Sequence, residues 1–300
     1  MRKPKKYTGV IAPLVTPVTE SGQIDEQSVE RLINQTIDAK NYPFILGTTG
    51  EIALASFKNR EVLAKLSAKY VNGRSTLLAG ITDNCVENTI EAAKKYADFG
   101  VDLFVVHLPY FFPLNNDLMV KYFMNIADNS PKPIMVYNIV SITHMSIPIE
   151  VVEQLSQHPN IVGLKDSERD WERHKKLAAM FKDHDDFVLF IGWTNKSSES
   201  ILMGFDGIIP NTANIIPKLF QSLYEEAFSG NETEALKLQE KAEGLSELVQ
   251  NNRTMTRTLP ELKAIMNHLN ICKPYVLPPL EKLGDKEATD LVNEYIKLGY

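Results

Sequence analysis

Eight short apolar runs recur along the first 230 residues of the 300-residue chain, and a longer amphipathic segment follows each of them. Most of the runs are rich in Val, Ile, Leu and Phe with little polar alternation, which is typical of parallel strands covered on both faces. The runs are residues 10–15, 43–47, 76–80, 102–107, 133–138, 161–165, 187–192 and 206–210. Strand and helix patterns therefore alternate eight times.

This alternation predicts an α/β protein built as a closed (β/α)₈ TIM barrel. A doubly wound open sheet, which has about five to seven strands, is the alternative, but no Gly-x-Gly-x-x-Gly follows the first run. After Gly230 the apolar runs stop, and residues 232–249, 257–269 and 286–298 have helical patterns. We therefore expect a barrel at residues 1–230 and a C-terminal helical extension at residues 231–300 that packs on it.

Charge and apolar content exclude several classes of function. The chain has 32 Lys and Arg and 38 Asp and Glu, which gives a net charge of −6, and the two signs are interspersed along the sequence. This distribution argues against nucleic-acid binding. No apolar stretch approaches the roughly 18 residues of a membrane span, and no signal-peptide core follows the basic residues 2–6. Cys85 and Cys272 lie far apart without metal-ligand spacing, so we expect both to be small buried hydrophobes. These features predict a cytoplasmic protein without a disulfide or a metal site.

In a barrel of this kind, function resides at the carboxyl ends of the strands, where the βα loops meet. Lys165 ends the apolar run 161–164, so its amine is expected inside the barrel mouth. Desolvation there disfavours the ammonium form, and a neutral amine forms Schiff bases with ketones and aldehydes. A strand-end lysine that reaches solvent, or that pairs with Asp166, is the alternative interpretation.

Two further strand ends carry groups suited to the same chemistry. Tyr137 ends the preceding run and is expected beside Lys165, where a phenol exchanges protons; a core-edge tyrosine with a satisfied hydroxyl is the alternative. Gly47, Thr48, Thr49 and Gly50 follow the second run. Their hydroxyls and backbone N–H groups suit a small anion such as a carboxylate, although glycine-threonine turns are common.

In combination, the motifs resemble those of the pyruvate-dependent class I aldolases and lyases, the family that includes dihydrodipicolinate synthase, N-acetylneuraminate lyase and 2-keto-3-deoxygluconate aldolase. The resemblance extends from about Gly9 to Pro217. The motifs are residues 12–17, 47–51, 137–138, 163–166 and 207–214. Their order and their positions at strand ends match the family.

The resemblance implies a role for each matching residue. Lys165 would form the Schiff base with the keto carbon of pyruvate or another 2-keto acid, and Tyr137 would donate and accept protons. Thr48 would pass protons to Tyr137, Thr49 would hold the carboxylate together with the loop at Gly47, and Ile209 would make a backbone contact. The resemblance also implies that no metal or organic cofactor is needed and that the chain forms a dimer or a tetramer.

The chain departs from the dihydrodipicolinate synthases at two positions. There the tyrosine strand is followed by Pro-Ser-Arg-Thr-Gly, whose arginine binds the carboxylate of aspartate semialdehyde; here the segment contains Ile142, which cannot hold an anion. Those synthases also use a second tyrosine that reaches across a dimer interface, whereas this chain has Phe111.

Two further residues near the expected mouth leave alternatives open. Trp193, after the seventh run, either narrows the pocket or packs away from it, and His144 is either a substrate contact or a solvated loop residue.

The resemblance therefore implies a Schiff-base-forming carbon–carbon lyase that acts on pyruvate or a 2-keto acid. The segment 109–113 is similar to that of the 2-keto-3-deoxy sugar acid aldolases, which favours a 2-keto-3-deoxy sugar acid or similar hydroxy-keto acid as substrate. One alternative is a dihydrodipicolinate synthase that condenses pyruvate with aspartate semialdehyde and compensates elsewhere for Ile142 and Phe111. The other is a keto-acid-binding barrel without turnover. Because the segment 108–112 is apolar, we expect a neighbouring copy of the chain or a lid to cover it, and we predict a homo-oligomer.

Overall fold

Eight parallel strands close into a barrel in the computed structural model, which describes residues 5–250 and 253–300. Gly9 and Val10 of the first strand pair with Gly207 and Ile208 of the last, which closes the ring. The predicted (β/α)₈ fold is therefore confirmed. The strands are β1 (Gly9–Pro13), β2 (Tyr42–Ile45), β3 (Leu78–Gly80), β4 (Leu103–His107), β5 (Ile134–Asn138), β6 (Ile161–Asp166), β7 (Val188–Ile191) and β8 (Gly207–Ile208).

Helices connect the strands and continue beyond β8. The capping residues explain several boundaries: the Ser56 hydroxyl accepts a hydrogen bond from the Asn59 N–H, and Gly100 ends a helix at a φ of 106°. The helices are α1 (Glu26–Asp38), α2 (Phe57–Val71), α3 (Val86–Phe99), α4 (Asn116–Asn129), α5 (Val140–Thr143), α6 (Ile149–Leu155), α7 (Trp171–Met180), α8 (Ser197–Met203), α9 (Pro217–Ser229), α10 (Glu232–Gln250), α11 (Met255–His268) and α12 (Asp285–Lys297).

The core has two layers, because successive side chains of a strand point to opposite faces of the sheet. Residues of the inward positions fill the barrel and form what we call the interior cluster. Those of the outward positions pack between the strands and the helices. The interior cluster consists of Ile11, Phe44, Leu78, Leu103, Val105, Met135, Tyr137, Ile139, Val188, Phe190 and Ile209.

Helices α10, α11 and α12 form the C-terminal extension. In α10, Gln239 binds the loop after β7, donating from Nε2 to the Thr194 carbonyl at 3.0 Å and accepting from the Ser198 N–H at 3.1 Å. In α11, Lys263 reaches the loop after β2, as described below. The division of the chain at residue 230 into a barrel and an extension remains a prediction.

The structure also bears on the sequence-based expectations about membrane spans and cysteine burial. Within residues 5–250 and 253–300, no helix is long and apolar enough to cross a membrane; residues 2–4 of the basic N-terminal segment lie outside the described residues. The prediction that both cysteines are buried is wrong for Cys85, which is exposed because it precedes α3 on a surface loop. Cys272 is buried, which raises the pKa of its thiol to about 12.

Candidate active site

Lys165 and Tyr137 meet inside the barrel at the carboxyl ends of β6 and β5. They are paired in register, and both are only 4% exposed. The Nζ atom of Lys165 lies 3.9 Å from the centroid of the Tyr137 ring and 5.2 Å from that of Phe44. Burial lowers the pKa of Lys165, although the charge and hydroxyl of Tyr137 oppose this shift. The lowered pKa increases the fraction of neutral amine, which is the form that attacks a carbonyl carbon.

The next residues along the two strands, Asn138 and Asp166, point outward and are fully buried, and Asp166 contacts α7. Asp166 accepts hydrogen bonds from Arg173 Nε at 2.8 Å and from Asn138 Nδ2 at 3.2 Å. Burial disfavours its ionised form, but His174 and Arg173 hold the pKa of Asp166 below its usual value. This buried charge network ties the ends of β5 and β6 together and so fixes the positions of Tyr137 and Lys165.

The loop after β2 packs against the ring that also contacts Lys165. A Cβ atom added at Gly47 would lie 2.8 Å from the Phe44 ring, so only glycine allows this approach. Leu46 and Glu51 flank the loop with positive φ values of 55° and 56°. Such backbone strain persists only where the surrounding structure enforces it, and it is frequent at functional sites.

A buried ion pair anchors this loop to the C-terminal extension. Lys263 of α11 lies 2.5 Å from Oε1 of Glu51, and neither side chain is exposed to solvent. Lys263 also donates hydrogen bonds to the carbonyls of Thr16 and Tyr275, both at 2.8 Å, and the Leu277 N–H donates to Glu51 Oε2 at 2.7 Å. The extension therefore determines the conformation of the loop that ends at Glu51.

The structure brings the other predicted site residues to the same end of the barrel. Thr48 and Thr49 follow β2, with Thr49 6% exposed and Thr48 partly buried. Ile209 follows β8, is 3% exposed and belongs to the interior cluster. Its N–H donates to the Ile191 carbonyl at 2.8 Å, which holds it in place across β7. The arrangement offers a nucleophile, a phenol, two hydroxyls and an apolar wall within one mouth.

The four residues whose roles the sequence left open lie in different parts of the structure. Ile142, on α5, is partly buried and packs against the interior cluster, so an aliphatic side chain borders the mouth. Phe111 is 74% exposed on the loop after β4. Trp193 packs in the layer between strands and helices, 6.3 Å from the His174 ring, and therefore does not narrow the mouth. His144 is exposed at the end of α5.

Sequence reasoning placed His107 at a strand end but gave it no role, and it did not single out Lys263. His107 ends β4 and its ring stands edge-on to that of Tyr137, with 6.2 Å between centroids. Its place at the end of an apolar run was a usable signal, but nothing in the pattern distinguished it from a core histidine. Lys263 gives no signal, because its partner is distant in the sequence. In the described part of the chain, no group of three or more His, Cys, Asp or Glu residues is arranged to hold a metal ion.

Comparison with known proteins gives a consistent result. The family model described as "Dihydrodipicolinate synthetase family" matches residues 6–297. The chain is 30% identical to a 4-hydroxy-tetrahydrodipicolinate synthase of Staphylococcus haemolyticus over 97% of both proteins. It is 31% identical to the enzyme of that name from Pseudoalteromonas atlantica over 76% of this chain and 78% of the relative. The structure of dihydrodipicolinate synthase from Bacteroides thetaiotaomicron superposes with a TM-score of 0.93 at 28% identity, covering 98% of this chain and all (100%) of that one.

Proposed function

Because the chain belongs to the dihydrodipicolinate synthetase family, we propose that it is a class I aldolase that makes or cleaves a carbon–carbon bond through a Schiff base on Lys165. One observation carries the proposal: the buried amine of Lys165 lies 3.9 Å from the Tyr137 ring at the barrel mouth. A desolvated lysine beside a phenol combines a nucleophile with a proton donor and acceptor. The substrate is pyruvate or a larger 2-keto acid, and the best candidates are 2-keto-3-deoxy sugar acids.

The residues perform the cleavage reaction in four steps. The neutral amine of Lys165 attacks the keto carbon, and the resulting carbinolamine takes up a proton and loses water to leave an iminium. A base removes the proton of the C4 hydroxyl, the C3–C4 bond breaks, and its electrons move into the iminium to form an enamine while an aldehyde departs. The enamine takes up a proton at C3, and water then hydrolyses the iminium to release pyruvate and free Lys165. Tyr137, with Thr48 beside the mouth, is the proposed proton carrier.

Two groups hold the keto acid in this proposal. The loop at Gly47, with the Thr49 hydroxyl and backbone, binds the carboxylate, since its backbone packs over Phe44 next to Lys165. Ile209, at the end of β8 and two strands away from β2, supplies a backbone contact. Fixing the carboxylate in this way sets the keto carbon within reach of the amine, which is a catalytic contribution of orientation.

Synthesis of 4-hydroxy-tetrahydrodipicolinate is the second candidate, and the 30% identity to the Staphylococcus haemolyticus synthase favours it. Ile142 opposes it. The side chain at this position packs against the interior cluster and carries no charge for the carboxylate of aspartate semialdehyde. Loss of a charge-assisted bidentate contact from a desolvated site weakens binding by about 1.5–3 kcal/mol.

The two candidates separate in one set of turnover assays. Purified protein is given a 2-keto-3-deoxy sugar acid, with pyruvate release measured, and separately pyruvate plus aspartate semialdehyde, with condensation measured. We expect turnover of the first substrate. Condensation of aspartate semialdehyde at a higher kcat/KM would assign the protein to the synthases. Absence of both activities would favour a keto-acid-binding barrel without turnover.

We also propose that the active protein is a dimer or a tetramer. Phe111 and Phe112 are 74% and 71% exposed, and their rings pack edge to face with 5.0 Å between centroids. Contiguous exposed aromatic surface of this kind marks an association site. A second copy of the chain that covers this loop accounts for it. Sedimentation as a single 33.8 kDa species would contradict the proposal.

A further inference from the structure

His107 occupies an inward-facing position next to the proposed catalytic pair. Alternate residues of a strand face the same side, so His107 faces the barrel interior like Leu103 and Val105 of the same strand. In the sheet, His107 is paired with Tyr137, and Tyr137 is paired with Lys165. At about 4.8 Å per strand, its backbone lies about 10 Å from that of Lys165. Of the six histidines, all of which lie in the described part of the chain, only His107 is on a strand.

The imidazole of His107 is held in one tautomer. Its Nδ1 lies 2.7 Å from the Leu108 carbonyl, and because a carbonyl only accepts, Nδ1 carries the hydrogen. The Nε2 atom is then an acceptor, and it has no hydrogen-bond partner among residues 5–250 and 253–300. Burial and the charge of Lys165 lower the pKa of His107, so the ring is neutral at neutral pH.

The backbone of His107 is fixed on both sides. Its N–H donates to the Thr82 hydroxyl at 2.9 Å, and its carbonyl accepts from the Tyr122 hydroxyl at 3.1 Å. The acceptor Nε2 is therefore presented from a rigid strand end and not from a mobile loop. A positioned acceptor of this kind discriminates between ligands better than a flexible one, because no ordering accompanies binding.

A further side chain near Tyr137 is apolar. Ile142 packs against the interior cluster that contains the Tyr137 ring. Tyr137 is thus bordered by the neutral imidazole of His107, by the aliphatic side chain of Ile142 and by Lys165, which becomes the Schiff base in the proposed reaction. With Lys165 committed to the keto acid in the proposed reaction, that combination fits an uncharged group with a hydroxyl, since Nε2 accepts a hydrogen bond and has no hydrogen to donate to a carboxylate.

We propose that His107 determines specificity: its Nε2 accepts a hydrogen bond from a hydroxyl of the uncharged, aldehyde-derived half of the substrate. This inference rests on the proposed aldolase function and assigns the chemistry of the second substrate. A substrate that lacks the hydroxyl leaves this acceptor unpaired. The expected discrimination from one such contact is about 10- to 100-fold in kcat/KM.

The test compares two three-carbon aldehydes in condensation with pyruvate: glyceraldehyde, which has hydroxyls, and propanal, which has none. The wild type is measured beside His107→Leu, which removes the acceptor, and His107→Gln, which retains an acceptor oxygen. We expect His107→Leu to reduce the ratio of kcat/KM for glyceraldehyde to that for propanal by about 10- to 100-fold. His107→Gln should restore part of that ratio.

A second readout distinguishes failure of the proposed role of His107 from failure of the proposed aldolase function. Pyruvate is trapped on Lys165 with borohydride in each variant, and we expect equal trapping, because His107 contacts the aldehyde half only. An unchanged ratio in His107→Leu, or equal losses with both aldehydes, would overturn the role of His107. Absence of trapping in the wild type would refute the aldolase function itself. A wild type that traps pyruvate but condenses neither aldehyde would contradict the proposed substrate class and this inference with it.

Discussion

Replacing Lys263 with methionine is expected to destabilise the protein strongly, because the lysine is half of a buried ion pair. Glu51 and Lys263 are 2.5 Å apart and both fully buried. The substitution keeps most of the side-chain volume, so packing changes little. It leaves the Glu51 carboxylate with the Leu277 N–H as its remaining hydrogen-bond donor, and it removes the donor to the carbonyls of Thr16 and Tyr275.

The expected loss is about 3–5 kcal/mol in the free energy of unfolding, which is the usual result of removing one partner of a buried pair. In a chain of this size, about 2 °C of Tm corresponds to each kcal/mol, so Tm should fall by about 6–10 °C. The loop that ends at Glu51 should also lose its fixed conformation. We therefore expect a higher KM for pyruvate, with a smaller change in kcat.

Urea denaturation measures the stability change, with equal m-values as the check that unfolding remains two-state. The double variant Glu51→Gln with Lys263→Met should recover at least about 1 kcal/mol, because no uncompensated charge remains. Lys282→Met is the matched control. Lys282 pairs with Asp285 at 3.2 Å on the surface, and its loss should change stability by less than about 1 kcal/mol. A change below about 1 kcal/mol in Lys263→Met, or no recovery in the double variant, would refute the reasoning.

Three further outcomes are expected. Lys165→Met should abolish activity yet raise Tm by about 2 °C or more, since the buried amine is unfavourable for folding; a lower Tm would contradict the desolvation account. Burial holds the pKa of His107 in the folded protein below its ordinary value of about 6.5, so unfolded chains bind more protons and wild-type stability should fall as the pH drops below about 6.5. His107→Gln should show a shallower fall in urea titrations at several pH values, and parallel curves would argue against the shift. Replacing Phe111 and Phe112 with serine should shift the sedimenting species toward a 33.8 kDa monomer, and an unchanged oligomer would exclude this loop as the interface.

The strands of the barrel were predictable because each is a short apolar run with turn residues at its ends. The run 161–165 predicts β6, which the structure extends by one residue to Asp166. The last strand is shorter than the run 206–210, since only Gly207 and Ile208 pair with β1. Helix α5 was not predicted, because four residues are too few to establish a helical period.

The site was predictable only in part. Position at a strand end indicated Lys165 and Tyr137, since strand ends meet at the mouth of a barrel. The pairing of Glu51 with Lys263 joins segments that are remote in sequence, and no local pattern encodes it. Asp166 and Arg173 are only seven residues apart, yet their contact depends on how α7 packs over β6. The strands and most helices could thus be predicted from the sequence, whereas the side-chain contacts between them could be identified only from the structure.

Borohydride reduction in the presence of pyruvate tests the central claim most directly. The account predicts that the intact mass increases by one reduced pyruvate and that peptide mapping places it on Lys165. Lys165→Met should show no increase, and Lys263→Met, where folded, should show a reduced yield at low pyruvate concentration. An adduct on a different lysine, or none in the folded wild type, would contradict the account.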